Sequence, residues 1–559
     1  MKKKLTILIL SFLFIFSFVS CKKNSNDNNN SNNNSSNNKK ISLLATSDVH
    51  CGARDNIGYK GLAEYKDERE DAGYQTVLAD CGDSIQGDAI GLMTQGSDII
   101  DIMNEMDYKF YTIGNHEFDY GIKYLASDLN KFNGSVLSCN LDYIGDNQNP
   151  LDMVKPYEIV DYNGIMVGYI GISTPESITK STPSVFKENG EFAYSFCNET
   201  KNKLYDRVQD TIDEVKDKGA NTIILLSHLG YGDEYGDIGS IPVMENVSGY
   251  DIIIDGHSHK VVEPETHKDK DGNDKTIMCL GTKLNCFGEV IIDSNGIESA
   301  SLITDFDKED SNIKTYVDNK FSSIEAITKQ VVSTSDLKLD IYDSNGIRLP
   351  RNRETQIGNF YADAFRDYFN SDIAFINGGG IRAGFDVGNI TYETLYKMAP
   401  FGNFGCVIEA TGQQILDYLE MASRLRETAT NNGTKAVGEN GGFAVPSGLK
   451  YTIDTSIPTP VVVDTNNFLV KIEGERRVKD VYILEDDTYV ALDSTKKYKI
   501  ATISYIAMES GDGNSAFEGA SVCGNVDTLD VDVLKAYFEK LNGNIKVKYE
   551  NIDGRITII

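Results

Sequence analysis

Histidine is scarce in this sequence of 559 residues, which contains only six of them. Positive charge is also in short supply, because 54 lysines and arginines face 84 aspartates and glutamates and the formal net charge is −30. This acidic balance argues against a basic face for long nucleic acids or for anionic membranes. It leaves room for a small anion that a few local arginines or a metal would hold.

Patterned cysteines are missing as well. The eight cysteines after Cys21 show neither zinc-ribbon nor disulfide-scaffold spacing; they are Cys51, Cys81, Cys139, Cys197, Cys279, Cys286, Cys406 and Cys523. Cys279 and Cys286 could pair in an oxidising compartment, but we expect two buried free thiols. We expect no structural zinc site built from thiolates.

Long hydrophobic runs are absent except at the N-terminus, where three lysines precede LTILILSFLFIFSFVS. This run is too short and wrongly flanked for an ordinary membrane span, so residues 1–20 are predicted to be an export signal. FVSC followed by an Asn/Ser-rich stretch resembles a bacterial lipoprotein signal. We therefore expect a lipid on Cys21, a disordered tether over residues 21–40 and a membrane anchor through that lipid only, on the periplasmic or surface face. An ordinary secretory signal with an incidental cysteine is the alternative.

From residue 41 the chain alternates short apolar runs with amphipathic stretches, as in an α/β sheet covered on both faces. Residues 41–305 form the first predicted domain. Residues 306–344 read as a polar helical linker, and residues 345–559 form a second compact domain with its own strands and helices. Apart from the Asn-rich stretch, no internal repeat is found.

Five of the six histidines stand directly after the apolar runs of the first domain, often beside an aspartate or asparagine. Because the carboxyl ends of parallel strands open on one edge of a sheet, we expect these side chains to converge there. The candidate metal ligands are Asp48, His50, Asp83, Asn115, His228, His257 and His259. Only His267 lies elsewhere, in a charged loop.

Seven donors suit two metal ions better than one, since a catalytic zinc uses about three protein ligands. A bridging carboxylate offsets the repulsion between two close cations, and Asp83 is the natural bridge. Carboxylate, imidazole and amide ligands favour zinc, manganese or iron over a metal that prefers soft thiolates. Cys51 and Cys81 adjoin these donors in sequence, but we expect their thiols to point elsewhere. Two-metal sites act on phosphoryl groups.

Three residues of the stretch TIGNHEFDYG are predicted to have different roles. Asn115 is predicted to bind metal while His116 faces the substrate, and Asp119 orients the imidazole and holds it cationic to stabilise or protonate a leaving oxygen. The alternative is that His116 only supports the metal ligands from behind.

The motifs SDVH, CGDSIQGD, GNHEFDYG, SHLGYGDE and GHSH, in this order, resemble those of calcineurin-like metallophosphoesterases. With the second half, the chain resembles the 5′-nucleotidase / UDP-sugar hydrolase / 2′,3′-cyclic phosphodiesterase family. The resemblance implies an α/β fold with a four-layer metallophosphoesterase domain, a helical linker and a second α/β (α+β) domain that recognises substrate. It also implies that one metal is bound by Asp48, His50, Asp83 and His259, and the other by Asp83, Asn115, His228 and His257.

The resemblance extends to nucleotide contacts in the second domain. In RNRETQIGNFYADAF and FINGGGIRAGF it implies that Arg351 and Arg382 bind phosphate and that Asn377 contacts the base, although Arg348 and Arg353 also stand near. The Gly-Gly-Gly turn at Gly379 would let a ligand approach the backbone closely. In MAPFGN it implies that Phe401 stacks on a base with Asn403 beside it. In ISYIAMESGDGNSAF it implies that Asp512 contacts the ribose.

The second aromatic of the base clamp departs from the family pattern. The family aromatic normally stands six residues before Asp512, where this chain has Ile506. Tyr505 stands seven before, and a one-residue insertion would return it to the clamp. We predict Tyr505 as the second stacking residue, with Ile506 as the alternative.

The predicted function is an exported, metal-dependent hydrolase that releases phosphate from nucleoside 5′-monophosphates and extends to UDP-sugars or other nucleotides. A 2′,3′-cyclic-nucleotide 2′-phosphodiesterase with 3′-nucleotidase activity is one alternative; members of that branch often have Asn at the position of Asp119. A surface lipoprotein that binds nucleotides or host ligands without turnover is another.

All predicted metal and acid groups precede residue 260 and all base and phosphate contacts follow residue 345, so we expect the substrate in a cleft between the domains. Sequence does not determine the oligomeric state.

Overall fold

The computed structural model describes residues 40–559, apart from residues 198–199, 345, 426, 429–434 and 525–527. The predicted export signal, Cys21 and nearly all of the Asn-rich stretch lie outside the described residues. Among the helices that are described, none combines the length and the apolar character needed to cross a membrane.

The apolar runs of the first domain form two six-stranded sheets. The first sheet has the strand order Gly296–Ile303, Phe287–Asp293, Ile41–Thr46, Gln75–Asp80, Tyr108–Thr112, Ser135–Leu137. The second sheet has the order Val261–Lys268, Asp274–Leu280, Ile252–Asp255, Thr222–His228, Ile165–Ser173, Tyr157–Tyr162. Four consecutive strands pair in parallel in each sheet, and the remaining edge strands are antiparallel.

The two sheets pack face to face between two layers of helices. Side chains alternate across a strand, so Leu43 enters the layer between the sheets while Leu44 enters the layer beneath the helices. The rings of Phe110 and Tyr169 stack across the two sheets with their centroids 4.0 Å apart. The described helices of this domain are Gly58–Asp71, Ala89–Thr94, Ser97–Glu105, Ile122–Lys131, Ser177–Lys180, Lys201–Asp217 and Ser240–Asn246. The four-layer fold that the resemblance implies is confirmed, whereas the single sheet with helices on both faces that the apolar runs predict is wrong.

The predicted linker is a packed element. Its helix, Ser311–Thr328, buries Val317, Phe321 and Ile324 against the helices of the first domain. The strand after it, Val331–Ser335, pairs with Gly388–Thr391 of the second domain. The segment therefore contacts both domains along its length, while its exact boundaries stay a prediction.

The second domain is built around one hydrophobic core and two mixed sheets. The larger sheet has the order Ala444–Ser447, Ile373–Asn377, Lys497–Ile503, Phe404–Thr411, Ser521–Val522, with Thr528–Leu529 paired beside it. The smaller sheet has the order Thr488–Ala491, Val478–Glu485, Leu449–Ile453, Ile556–Ile558. The described helices are Gln356–Phe369, Tyr392–Met398, Gly412–Ala422, Ser504–Ala507, Asp530–Leu541 and Lys546–Tyr549.

The Gly-Gly-Gly turn follows strand Ile373–Asn377, and its backbone packs against the backbone of the loop at Pro350. A Cβ atom on Gly378 would collide with the carbonyl oxygen of Pro350. The missing side chain thus allows the loop that carries Arg351 to lie against the turn. The sequence predicts that a ligand approaches the backbone of this turn. At Gly378 the loop of Pro350 occupies that space instead of a ligand. Gly379 lines the large cavity described below.

Candidate functional site

The predicted metal ligands of the two sheets meet at the carboxyl ends of the strands. Two groups of donors gather there, and within each group the ligand atoms lie within 4.8 Å of one another. The first group is Asp48, His50, Asp83 and His259, and the second is Asp83, His228 and His257. Asp83 belongs to both groups. His267 lies apart, with Nε2 2.6 Å from Glu265 Oε1.

Five of these residues have a strained backbone. The φ angles of Asp48, His50, Asp83, His257 and His259 lie between 45° and 70°, in the left-handed region. Such conformations cost about 1–3 kcal/mol each and persist where the surrounding structure enforces them, often at functional sites. Here they aim the five side chains at the space between the strand ends.

The ring orientation of two of the histidines is set by backbone carbonyl groups. His50 Nδ1 lies 2.8 Å from the carbonyl oxygen of Gln86, and His228 Nδ1 lies 2.6 Å from that of Cys81. A proton on Nδ1 satisfies each carbonyl and directs Nε2 towards the other donors. This is the usual arrangement of metal-binding histidines, whose second nitrogen donates to a carbonyl or a carboxylate.

The fit of a metal ion can be judged from the polar atoms at the strand ends, two of which have no hydrogen-bond partner in the described chain. Asn115 Oδ1 is buried and has no partner in the described chain. His228 Nε2 lies 3.1 Å from Asp83 Oδ2 without the geometry of a hydrogen bond. The Nε2 atoms of His50 and His259 are 3.0 Å apart. Burial, more than any other cause, holds the pKa of both of these imidazoles well below the usual histidine range, so neither ring carries a charge that would repel a cation. Divalent zinc or manganese suits such a set of donors.

His116 and Asp119 form the predicted pair. The short helical turn His116–Phe118 places them so that His116 Nδ1 lies 2.6 Å from Asp119 Oδ2. Asp119 Oδ1 accepts a second hydrogen bond, of 2.8 Å, from Ser181 Oγ. The imidazole lines the cavity, 5.3 Å from the ring of His50 and 5.6 Å from that of Phe401. His116 belongs to neither group of metal donors.

One cavity of about 460 Å³ joins the two domains at this point. Its lining includes His116 and Asp119 from the first domain and every predicted substrate contact from the second: Arg351, Asn377, Gly379, Arg382, Phe401, Asn403, Tyr505 and Asp512. The predicted interdomain cleft is therefore present in the structure, and all of these residues are brought together in it.

Arginines concentrate positive charge in the cavity. Arg348, Arg351 and Arg382 all line it, whereas Arg353 instead donates from Nε to Asn352. Burial, with the two neighbouring guanidinium groups, lowers the pKa of Arg351 to about 9. Three crowded arginines are a strong site for an anion with several oxygens. Arg348 is thus a third member of the cluster, and its Nε is held 3.1 Å from Glu439 Oε2.

The structure places the side chains of Tyr505 and Ile506 in different surroundings. Tyr505 lines the cavity, while Ile506 is 4% exposed and belongs to the core of the second domain. The Arg382 guanidinium lies 5.6 Å from the Phe401 ring centroid. These positions favour Tyr505 as the second stacking residue, which stays a prediction.

Models of two protein families match the chain. The calcineurin-like phosphoesterase model matches residues 41–261, and the 5′-nucleotidase C-terminal domain model matches residues 331–519. The chain belongs to the nucleotide phosphoesterase / 5′-nucleotidase family. It is therefore a hydrolase of phosphoric ester bonds.

Curated relatives and solved structures agree with this membership. The chain is 24% identical over 568 residues to snake venom 5′-nucleotidase of Gloydius brevicauda, covering 92% of this chain and 88% of that protein. It is 26% identical over 568 residues to the trifunctional nucleotide phosphoesterase YfkN of Bacillus subtilis, with 92% of this chain covered but only 35% of the relative.

In structure, the fold matches the 5′-nucleotidase precursor of Thermus thermophilus with a TM-score of 0.76 and 24% identity. That match covers 93% of this chain and 99% of the other. The fold also matches the sulfate thiohydrolase SoxB of the same genus, with a TM-score of 0.67 and 17% identity, over 93% of this chain and 96% of that one. Since the same fold occurs in a protein with that name, fold alone does not define the substrate.

Two acids of this phosphoesterase were missed by sequence reasoning. Glu117, wholly buried, accepts from the backbone N–H groups of Asp83, Ser84 and Gly114 at 2.7–2.8 Å, and so ties two ligand-bearing loops together. Glu176 Oε2 lies 3.1 Å from His257 Nε2, which leaves Nδ1 of that ring for an ion. The motif GNHEFD contained Glu117, but no local signal marked Glu176.

The predictions about cysteine agree with the structure. All eight cysteines after Cys21 are free thiols in the described chain, including Cys279 and Cys286. Cys51 Sγ donates to the carbonyl oxygen of Ile85 and Cys81 Sγ to that of Ile254, away from the metal donors.

Proposed function

We propose that this phosphoesterase hydrolyses nucleoside 5′-monophosphates to nucleosides and phosphate, with the nucleotide bound between the domains. The observation that carries the proposal is that several groups line one cavity. They are four of the metal donors (Asp83, Asn115, His257 and His259), the His116–Asp119 pair, the cluster of Arg348, Arg351 and Arg382, and the rings of Phe401 and Tyr505. Each group matches one part of a nucleotide: phosphoryl group, leaving oxygen and base.

We further propose two divalent ions, zinc or manganese, one at Asp48, His50, Asp83 and His259 and the other at Asp83, Asn115, His228 and His257. When bound, such a pair of ions would acidify a water molecule and offset the charge of the phosphoryl oxygens. The remaining roles belong to side chains of the protein. Arg351 and Arg382, with Arg348, would hold the phosphoryl oxygens through paired N–H donors.

In this proposal His116 is the general acid. A proton on Nε2 passes to the 5′ oxygen as its bond to phosphorus breaks, and the Asp119 carboxylate stabilises the cationic ring through Nδ1. Phe401 and Tyr505 would clamp the base, and Asn377 and Asn403 would contact its edge. Asp512 would accept from a ribose hydroxyl group.

A second cavity favours nucleotide sugars as further substrates. It has a volume of about 890 Å³ and shares His259 and all three arginines with the first cavity. A group attached to the far side of the phosphorus would have room there. A phosphate monoester has no such group, so this cavity supports UDP-sugar hydrolysis as an additional activity.

The test is a comparison of substrates with the purified protein loaded with zinc or manganese. We expect the highest kcat/KM on AMP, measurable release of UMP from UDP-glucose, and loss of both activities on chelation. Highest activity on 2′,3′-cyclic AMP or 3′-AMP would favour the cyclic phosphodiesterase alternative. Nucleotide binding without turnover of any of these compounds would favour a binding lipoprotein.

Phe401→Ala is expected to raise KM for AMP by an amount equivalent to about 1–3 kcal/mol, because base stacking on an aromatic ring is lost. Steady-state kinetics on AMP and p-nitrophenyl phosphate measures this, and KM for the aryl ester should change little. Phe404→Ala, at an exposed phenylalanine outside the cavity lining, is the matched control. Tyr505→Leu should likewise raise KM for AMP. A strong effect of Ile506→Ala with no effect of Tyr505→Leu would show that Ile506, and not Tyr505, occupies the second stacking position.

Export and lipidation remain proposals from residues 1–21 alone. We propose that Cys21 carries the lipid that anchors the mature protein to the envelope membrane of a bacterium. In a bacterial host, Cys21→Ser should move the full-length protein from the membrane fraction to the soluble exported fraction. A wild-type protein that is already soluble would contradict the anchor.

A further inference from the structure

Residues 176–181, ESITKS, form a single turn that touches four parts of the site. Two backbone hydrogen bonds close the turn: the Lys180 N–H donates to the carbonyl oxygen of Glu176 at 2.8 Å, and the Ser181 N–H donates to that of Ser177 at 3.1 Å. Pro175 and Pro183 stand on either side. Movement at one residue of such a turn is transmitted to the others. We call residues 176–181 the coupling segment.

Two contacts reach the coupling segment from the second domain. Lys180 Nζ lies 3.0 Å from Asp512 Oδ1, in an ion pair in which the lysine side chain is 22% exposed and the carboxylate 4%. The Tyr505 hydroxyl donates to the carbonyl oxygen of Thr179 at 2.9 Å and accepts from the Asp512 N–H at 2.9 Å. The residues that would hold the nucleoside therefore also hold Thr179 and Lys180.

Two other contacts lead from the segment to the chemistry. Ser181 Oγ donates to Asp119 Oδ1 at 2.8 Å, on the carboxylate whose other oxygen holds His116. Glu176, at the opposite end, meets His257. Ser181 is 1% exposed and so is fixed by its packing beside Asp119. Without this bond the carboxylate is free to rotate, and the imidazole loses its fixed direction.

We infer that Lys180 and Ser181 are positioning residues that make the orientation of the His116–Asp119 pair depend on contact with the nucleoside-binding residues Tyr505 and Asp512. The inference rests on the proposed function, because it requires a nucleoside at those two residues. Its consequence is that a nucleotide gains turnover that a simple phosphate ester does not gain.

The test uses the full-length, metal-loaded protein and two substrates, AMP and p-nitrophenyl phosphate. Lys180→Met keeps the aliphatic stem but removes the bond to Asp512, and Ser181→Ala removes the bond to Asp119. Lys180→Met should lower the ratio of kcat on AMP to kcat on the aryl ester by about fivefold to tenfold, the effect of losing one ordinary, partly exposed hydrogen bond. Ser181→Ala should lower kcat on AMP by about tenfold at nearly constant KM, and Ser181→Thr should restore most of it.

The double variant decides whether the two residues act together. On AMP, Lys180→Met with Ser181→Ala should be no slower than Ser181→Ala alone, since coupled residues are not additive. Lys397→Met is the matched control: Lys397 also crosses between the domains, 3.7 Å from Asp88, but lies outside the coupling segment. Additive effects, or a change in KM alone, would overturn the inference. Absence of AMP hydrolysis in the wild type would instead contradict the proposed function.

Discussion

Replacing His116 by Ala is expected to lower turnover of AMP by about 10²–10⁴-fold, the usual contribution of a positioned acid. The metal content should not change, because His116 belongs to neither group of metal donors. The loss should be much smaller on p-nitrophenyl phosphate, since nitrophenolate leaves without a proton whereas a ribose 5′ oxygen does not. Asp119→Asn should be milder than His116→Ala, because it removes only orientation and charge support.

The control for this prediction is His267→Ala, which removes the one histidine placed away from the site. Metal analysis of each variant, alongside kcat on both substrates, separates chemistry from metal binding. Should His116→Ala empty the metal site, then His116 is a ligand and the proposed role is wrong. An equal loss on both substrates would argue against proton donation to the leaving group.

Replacing Asp83 by Ala is expected to abolish activity, with a loss of at least about 10³-fold, because metal stabilisation of the phosphoryl charge is worth several kcal/mol and each 1.4 kcal/mol is tenfold. Asp83 is the one residue common to both groups of donors, so neither ion should bind as in the wild type. By contrast, His259→Ala should weaken one ion only. Metal stoichiometry after dialysis, measured beside kcat, distinguishes the two variants.

Asp80→Asn is a suitable control for Asp83→Ala. Asp80 is equally buried at the end of the same strand, but its carboxylate accepts from Thr46, Ser84 and the Gly82 N–H instead of facing the metal donors. The Asn side chain retains an oxygen for part of these bonds, so the metal content of Asp80→Asn should stay near that of the wild type. Full activity of Asp83→Ala, or of exhaustively chelated protein with no bound metal, would refute the metal proposal.

The sequence alone was enough to predict the metal donors and the fold class. Five histidines followed apolar runs, and a parallel strand presents its carboxyl end to the same edge as its neighbours whatever the distance along the chain. Asp48 and His259 could therefore be expected together although 211 positions separate them, and Asp48 Oδ1 and His259 Nε2 lie 3.3 Å apart. The ordered motifs likewise predicted two domains and the cavity between them. Each motif is a short stretch that can be identified without knowing the fold, and the metal motifs and substrate motifs fall in different domains.

Only the tertiary structure decided the groups that surround these donors. It divided the strands between two sheets, since alternate side chains pack against a second sheet instead of a second layer of helices. It placed Arg348 in the cavity, Ile506 in the core, and Glu176 and Ser181 against His257 and Asp119. These are contacts between single side chains far apart in sequence, and no periodicity or neighbouring motif marks such a contact. The partner of a polar side chain depends on how the loops pack against one another, and the complete fold determines that packing.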